Sequence, residues 1–127
     1  MNNFQQKKYF SIIIETEWDK YETVPDDEKE IYLRNIISRL YYTCFHIIKE
    51  RKGLPDWDSN DRSHEVVKKA INNKGLRKKL KALYDFRVKA DYKYQEFKLP
   101  LHDKRNLSIV NKKNIDNIIK TFETVDL

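Results

Sequence analysis

The chain has 127 residues, of which 39% are hydrophobic and 36% charged, with 2 Gly, 3 Pro, 1 Cys and a net charge of +6. That length fits one domain covering residues 1–127, and no apolar run approaches the ~18 residues of a membrane span. Gly53 and Gly75 are too far apart for a glycine-rich phosphate loop, and a single cysteine excludes an internal disulfide or a cysteine-based zinc site.

Helical periodicity dominates from the start. Phe10, Ile13, Ile14, Glu17 and Tyr21 form one stripe, which predicts a first helix over about residues 3–22. Val24-Pro25 ends it, because the residue before proline disfavours helix. Asp27-Glu28-Lys29-Glu30 reads as a capping box opening a second helix over about 27–52. Its apolar face is Leu33, Ile37, Leu40, Tyr41, Cys44 and Ile48. Tyr42, Phe45 and His46 widen that face, so the helix is either central or a subunit interface. Gly53 and Pro55 stop it.

Residues 53–62 read as a polar connection. Ser63 is the expected N-cap of a short third helix carrying His64, Val67 and Ile71, with His64 helping to organise its start. Asn72-Asn73-Lys74-Gly75 punctuates the chain, and a fourth helix is expected over about 75–97. Leu76, Leu80, Leu83, Tyr84, Arg87, Asp91 and Tyr94 form its inward stripe, and Lys74, Arg77, Lys78 and Lys81 a separate basic one. A final helix over about 109–125 turns Ile115, Ile118, Ile119, Phe122 and Val125 inward. Short links between five helices predict an all-α antiparallel four- or five-helix bundle.

Charge is distributed unevenly. Residues 1–30 carry four lysines against eight acids, whereas residues 64–90 carry nine basic residues against two acidic ones. The second segment, with Lys74, Arg77, Lys78, Lys81 and Lys89, is either a solvated face or a surface for phosphates or an acidic partner. Arg87 and Asp91 lie four apart on an apolar stripe. They read either as an internal ion pair or as an arginine held in a groove to meet phosphate. His46, His64 and His102 have no metal-pair spacing, so neither a metal nor a cofactor is expected. Cys44 lies on the apolar stripe, which favours burial over reactivity.

Two stretches resemble a known family. Arg39-Leu40-Tyr41-Tyr42-Thr43-Cys44-Phe45-His46 resembles the R-x-Y-Y-x-x-F-H helix of HEPN (higher eukaryote and prokaryote nucleotide-binding) domains. His64-Glu65-Val66-Val67, followed by Leu83 to Tyr92, resembles the H-x-x-V … L-x-x-x-R-x-x-A-D-Y half of small single-domain members. The resemblance spans about residues 30–125. It implies a HEPN-like bundle forming a two-fold dimer; separately, the wide apolar face of the second helix offers Tyr42, Phe45 and His46 as interface residues. It also implies a toxin–antitoxin or antiviral-defence setting in the cytoplasm, with a minimal nucleotidyltransferase or a defence complex as partner. The family's ribonuclease motif is an arginine and a histidine with four to six residues between them. Carried over, the arginine is Arg87, but Tyr92, Lys93 and Tyr94 occupy the histidine positions. The resemblance therefore implies a degenerate module that dimerises and binds RNA, nucleotide or a partner protein. One alternative is a metal-independent endoribonuclease using Arg87 and Asp91 with Tyr92, or with His46 or His64 from across the dimer, as acid or base. The other is a structural subunit of a larger complex. Tyr94 matches a tyrosine that some two-component members carry as a nucleotidyltransferase target.

Overall fold

Pro25 sets the first corner. Its backbone is extended, and Glu28 N–H closes a tight turn onto the Pro25 carbonyl at 2.9 Å. A computed structural model describes residues 3–54, 61–92 and 112–127 of the chain. They form five helices: α1 (Asn3–Thr23), α2 (Lys29–Arg51), α3 (Asp61–Lys69), α4 (Lys74–Tyr92) and α5 (Lys112–Thr124). The all-α expectation is met, with no strand among the described residues. No helix among them is long and apolar enough to cross a membrane.

The corner folds α1 back along α2. Lys29 Nζ donates to the Tyr21 carbonyl at 2.9 Å, and further along Asn35 faces Glu17. Rising numbers on one helix against falling numbers on the other define an antiparallel pair. The expected capping box does not form. Asp26–Glu28 winds into a 3₁₀ turn, the Glu28 side chain makes no cap, and the Glu30 carboxylate pairs with Arg34 at 2.8 Å instead.

α2 is the hub. Fourteen of its 23 residues are buried, and those from Thr43 to Lys49 are buried without a break, while Ile31 and Asn35 stay exposed. Burial on this scale marks a central helix. It packs against all the other helices. Ile36, Leu40, Cys44, Ile47 and Ile48 meet Val67 and Ile71 of the α3 segment, Leu76, Leu80 and Leu83 of α4, and Ile115 and Phe122 of α5. Each such aliphatic side chain contributes roughly 1.5–3 kcal/mol by leaving water.

α2 stops in a Schellman motif. Gly53 sits at φ +61°, its N–H bonds the Glu50 carbonyl at 3.2 Å, and Leu54 N–H bonds that of Lys49 at 2.9 Å. This places glycine where a left-handed residue is needed. α3 begins at Asp61, so Ser63 lies inside the helix rather than capping it. Asn73 caps α4 by accepting from Leu76 N–H at 3.1 Å. The same turn holds the end of α5, because Asn72 N–H and Asn73 N–H both reach the Leu127 carbonyl. From the other side, Arg51 Nη1 donates to the Phe122 and Val125 carbonyls at 2.8 and 2.7 Å.

Candidate functional site

α4 lies antiparallel to α2, and the seam between them is polar. On α2, Arg34, Ser38 and Tyr42 recur every four residues and so share one face. On α4, Arg87 and Asp91 answer them. Arg87 Nη2 donates to the Tyr42 hydroxyl, and its Nε lies 3.0 Å from Asp91 Oδ2. Ser38 Oγ donates to that same carboxylate oxygen at 3.1 Å. The guanidinium also stands 4.9 Å from the Tyr42 ring centre and 5.9 Å from that of Tyr84. Arg87 is only 8% exposed, a setting in which a charge needs partners of this kind. One turn along, Arg34 donates to the Lys89 and Ala90 carbonyls, both at 3.0 Å, and clamps α2 to α4.

Beside this seam lies a cleft of about 200 Å³ between α3 and α4. At its inner end the Tyr41 hydroxyl is 2.6 Å from His64 Nδ1. Burial pushes the Tyr41 phenol well above its ordinary pKa, and the neighbouring Tyr42 phenol adds to the rise against an opposing pull from Arg87. Tyr41 therefore stays protonated. His64 is occupied in an aromatic cluster, with ring centres 5.0 Å from Tyr84 and 5.6 Å from Tyr41. Glu65 pairs with Lys68 at one rim and Lys81 with Asp85 at the other.

The remaining residues singled out in the sequence lie in different settings. Lys74, Lys78, Lys81 and Lys89 are exposed, and Lys81 holds Asp85 at 3.2 Å. Arg77 is turned into the α3–α4 corner, where its Nε and Nη2 donate to the Ile71 carbonyl. Phe45 and His46 are already covered within one chain, at 4% and 8% exposure, which leaves Tyr42 as the partly open member of that trio. The backbone of Tyr92 belongs to α4. Its side chain, and all of Lys93, Tyr94 and His102, lie outside the described residues. Cys44 is fully buried, and burial drives its thiol far from reactivity. Among the described residues no group of three His, Cys, Asp or Glu side chains is placed to hold a metal.

Sequence reasoning missed two components. The Arg34–Ser38–Tyr42 spacing was a usable signal for the polar seam. The pairing of Tyr41 with His64 had none, since it joins two helices across a connection. Comparison with known proteins finds no matching family model, no matching curated protein and no matching solved structure.

Proposed function

We propose that this protein is a HEPN-like module without nuclease activity of its own, binding RNA or nucleotide phosphates through the outer face of α4. The observation that carries the reading is the division of cations on that helix. Arg87 is turned inward onto Tyr42 and Asp91, while Lys74, Lys78, Lys81 and Lys89 stand in solvent. A phosphate approaching Arg87 would have to displace Asp91, whereas Lys74 and Lys78 lie exposed on the outer face of the helix. Homodimerisation, a nucleotidyltransferase or defence-complex partner, Tyr94 as a modification target and a cytoplasmic setting in toxin–antitoxin or antiviral defence rest on the family resemblance.

The test is single-stranded RNA binding followed against salt. Affinity should fall log-linearly, by about −0.7 per phosphate contacted. Lys74→Glu with Lys78→Glu should abolish it, and Arg87→Met should leave it unchanged. An absence of binding at low salt, or a loss confined to Arg87→Met, would overturn the proposal.

A ribonuclease reading draws on one feature, the flanking of Tyr84 by both His64 and Arg87. Against it, the Tyr41 hydroxyl engages His64 Nδ1 and Asp91 engages Arg87. It requires cleavage of a mixed RNA pool that disappears in both His64→Ala and Arg87→Met.

A further inference from the structure

The cleft between α3 and α4 has a composition that the lysine face does not explain. Its inner end is aromatic: Tyr41 and Tyr84 stand 5.5 Å apart between ring centres, the His64 ring lies 5.0 Å from Tyr84, and Leu80 completes the wall. Its rim carries two carboxylates and two ammonium groups, each lysine bonded to an acid of its own helix. A rim with balanced charge gives no net attraction to a phosphate. It does supply hydrogen-bond acceptors and donors around an aromatic slot. At about 200 Å³ the space lies below the ~300–1,000 Å³ typical of sites for drug-sized ligands. It suits one ring system rather than an extended cofactor.

The cleft also lies in line with the lysines. Lys74, Lys78 and Lys81 fall at successive turns of α4, so they form a row that ends at the rim. A strand whose phosphates followed that row would deliver a base to Tyr84. Aromatic side chains hold bases in this way without needing a particular sequence. Carboxylates add discrimination, because they accept hydrogen bonds from the exocyclic amino group that cytosine carries and uracil lacks. Both rim carboxylates are more than half exposed. Exposed ion pairs are weak, so a ligand's amino group can take the place of the lysine.

Resting on the RNA-binding reading above, we infer that this cleft is a base pocket that accepts a single amino-bearing nucleobase, with Tyr84 as the stacking surface and Glu65 or Asp85 as the acceptor. The base can come from an RNA strand or from a free nucleotide.

Ten-residue oligocytidine and oligouridine separate the outcomes. The wild type should bind oligocytidine at least about fivefold more tightly, the discrimination of one good base contact. Glu65→Ala with Asp85→Ala should bring the two affinities together, and alanine at these exposed helical positions preserves the fold. Lys78→Ala should weaken both strands in equal proportion. Titration with cytidine monophosphate, read at the Tyr84 and Leu80 NMR signals, distinguishes the sources. Shifts there identify the free nucleotide as a sufficient ligand, and shifts with the oligomer alone identify the strand. Equal affinity for the two oligomers in the wild type would overturn the base pocket and leave lysine-mediated binding standing. Failure of both oligomers to bind at low salt would overturn the RNA reading. If cytidine monophosphate also left Tyr84 and Leu80 unmoved in that case, the pocket would fall with it.

Discussion

Arg87 is anchored by residues from two helices, and its removal should be costly in proportion. Arg87→Ala leaves Asp91 and Ser38 facing a space that a cation had filled. Loss of one partner of a largely buried pair costs about 3–5 kcal/mol, and the 27% exposure of the Asp91 side chain places this one at the lower end. Arg87→Met should recover part of the loss by restoring contact with Tyr42 and Tyr84. The Arg87→Ala/Asp91→Ala double variant should be less destabilised than the sum of the single variants, the sign expected of coupled neighbours. Urea unfolding of the four proteins checks this. Tyr41 and Cys44 give a second expectation, in alkaline solution. Burial raises both above their ordinary values of 10.0 and 9.0, so the folded state retains protons that the unfolded chain releases. Their contribution is complete below about pH 9 and is lost progressively as pH rises beyond those values. The thermal midpoint should decline above pH 9, and less steeply in Tyr41→Phe and Cys44→Ala. Of these contacts, Arg87–Asp91 was legible in the sequence because one helical turn joins it. Ser38 and Tyr42 were partners of that pair from 53 and 45 residues away, and no local pattern specifies such distances.

Two glycines near helix ends separate conformational cost from packing cost. At Gly53 a Cβ would meet nothing within 4 Å, yet the backbone is left-handed at φ +61°. Any penalty there is conformational alone, so Gly53→Ala should cost about 1–2 kcal/mol. Gly75, just inside α4, has no such backbone, and its nearest neighbour is Asn73 Oδ1 at an ordinary 3.5 Å. Gly75→Ala should stabilise by about 0.5 kcal/mol, by lowering the entropy of the unfolded chain. Opposite shifts in thermal midpoint between the two variants check the assignment. Stops at Pro25 and Gly53 were readable because proline and glycine restrict or free the backbone wherever they stand. Starts were less so. The acids before α2 had a competing use, since Arg34 takes Glu30, and the described helix α3 opens two residues ahead of Ser63.

At the scale of the molecule, acid dominates α1 and the corner after it, and base dominates the α3–α4 region, with α2 lying between them. The helical class followed from periodicity, and an apolar surface on α2 too wide for one stripe pointed to a helix that is central or at an interface. The particular neighbours of α2 did not follow, because Ile and Leu faces are interchangeable until the turns orient them. The enclosure of α2 has a consequence for how the chain tolerates change. α1, α4 and α5 each keep an outer side that water can reach, so substitutions along them should be accepted with a helical rhythm of permissive and forbidden positions. α2 should lose that rhythm from Thr43 to Lys49, where every residue is buried, with Thr43 and Ile47 as intolerant as Ile36, Leu40 and Ile48, since all five are at most 1% exposed. Saturation mutagenesis scored by folded yield would then reveal this part of α2 as a near-continuous block of constraint, the least replaceable stretch of the protein.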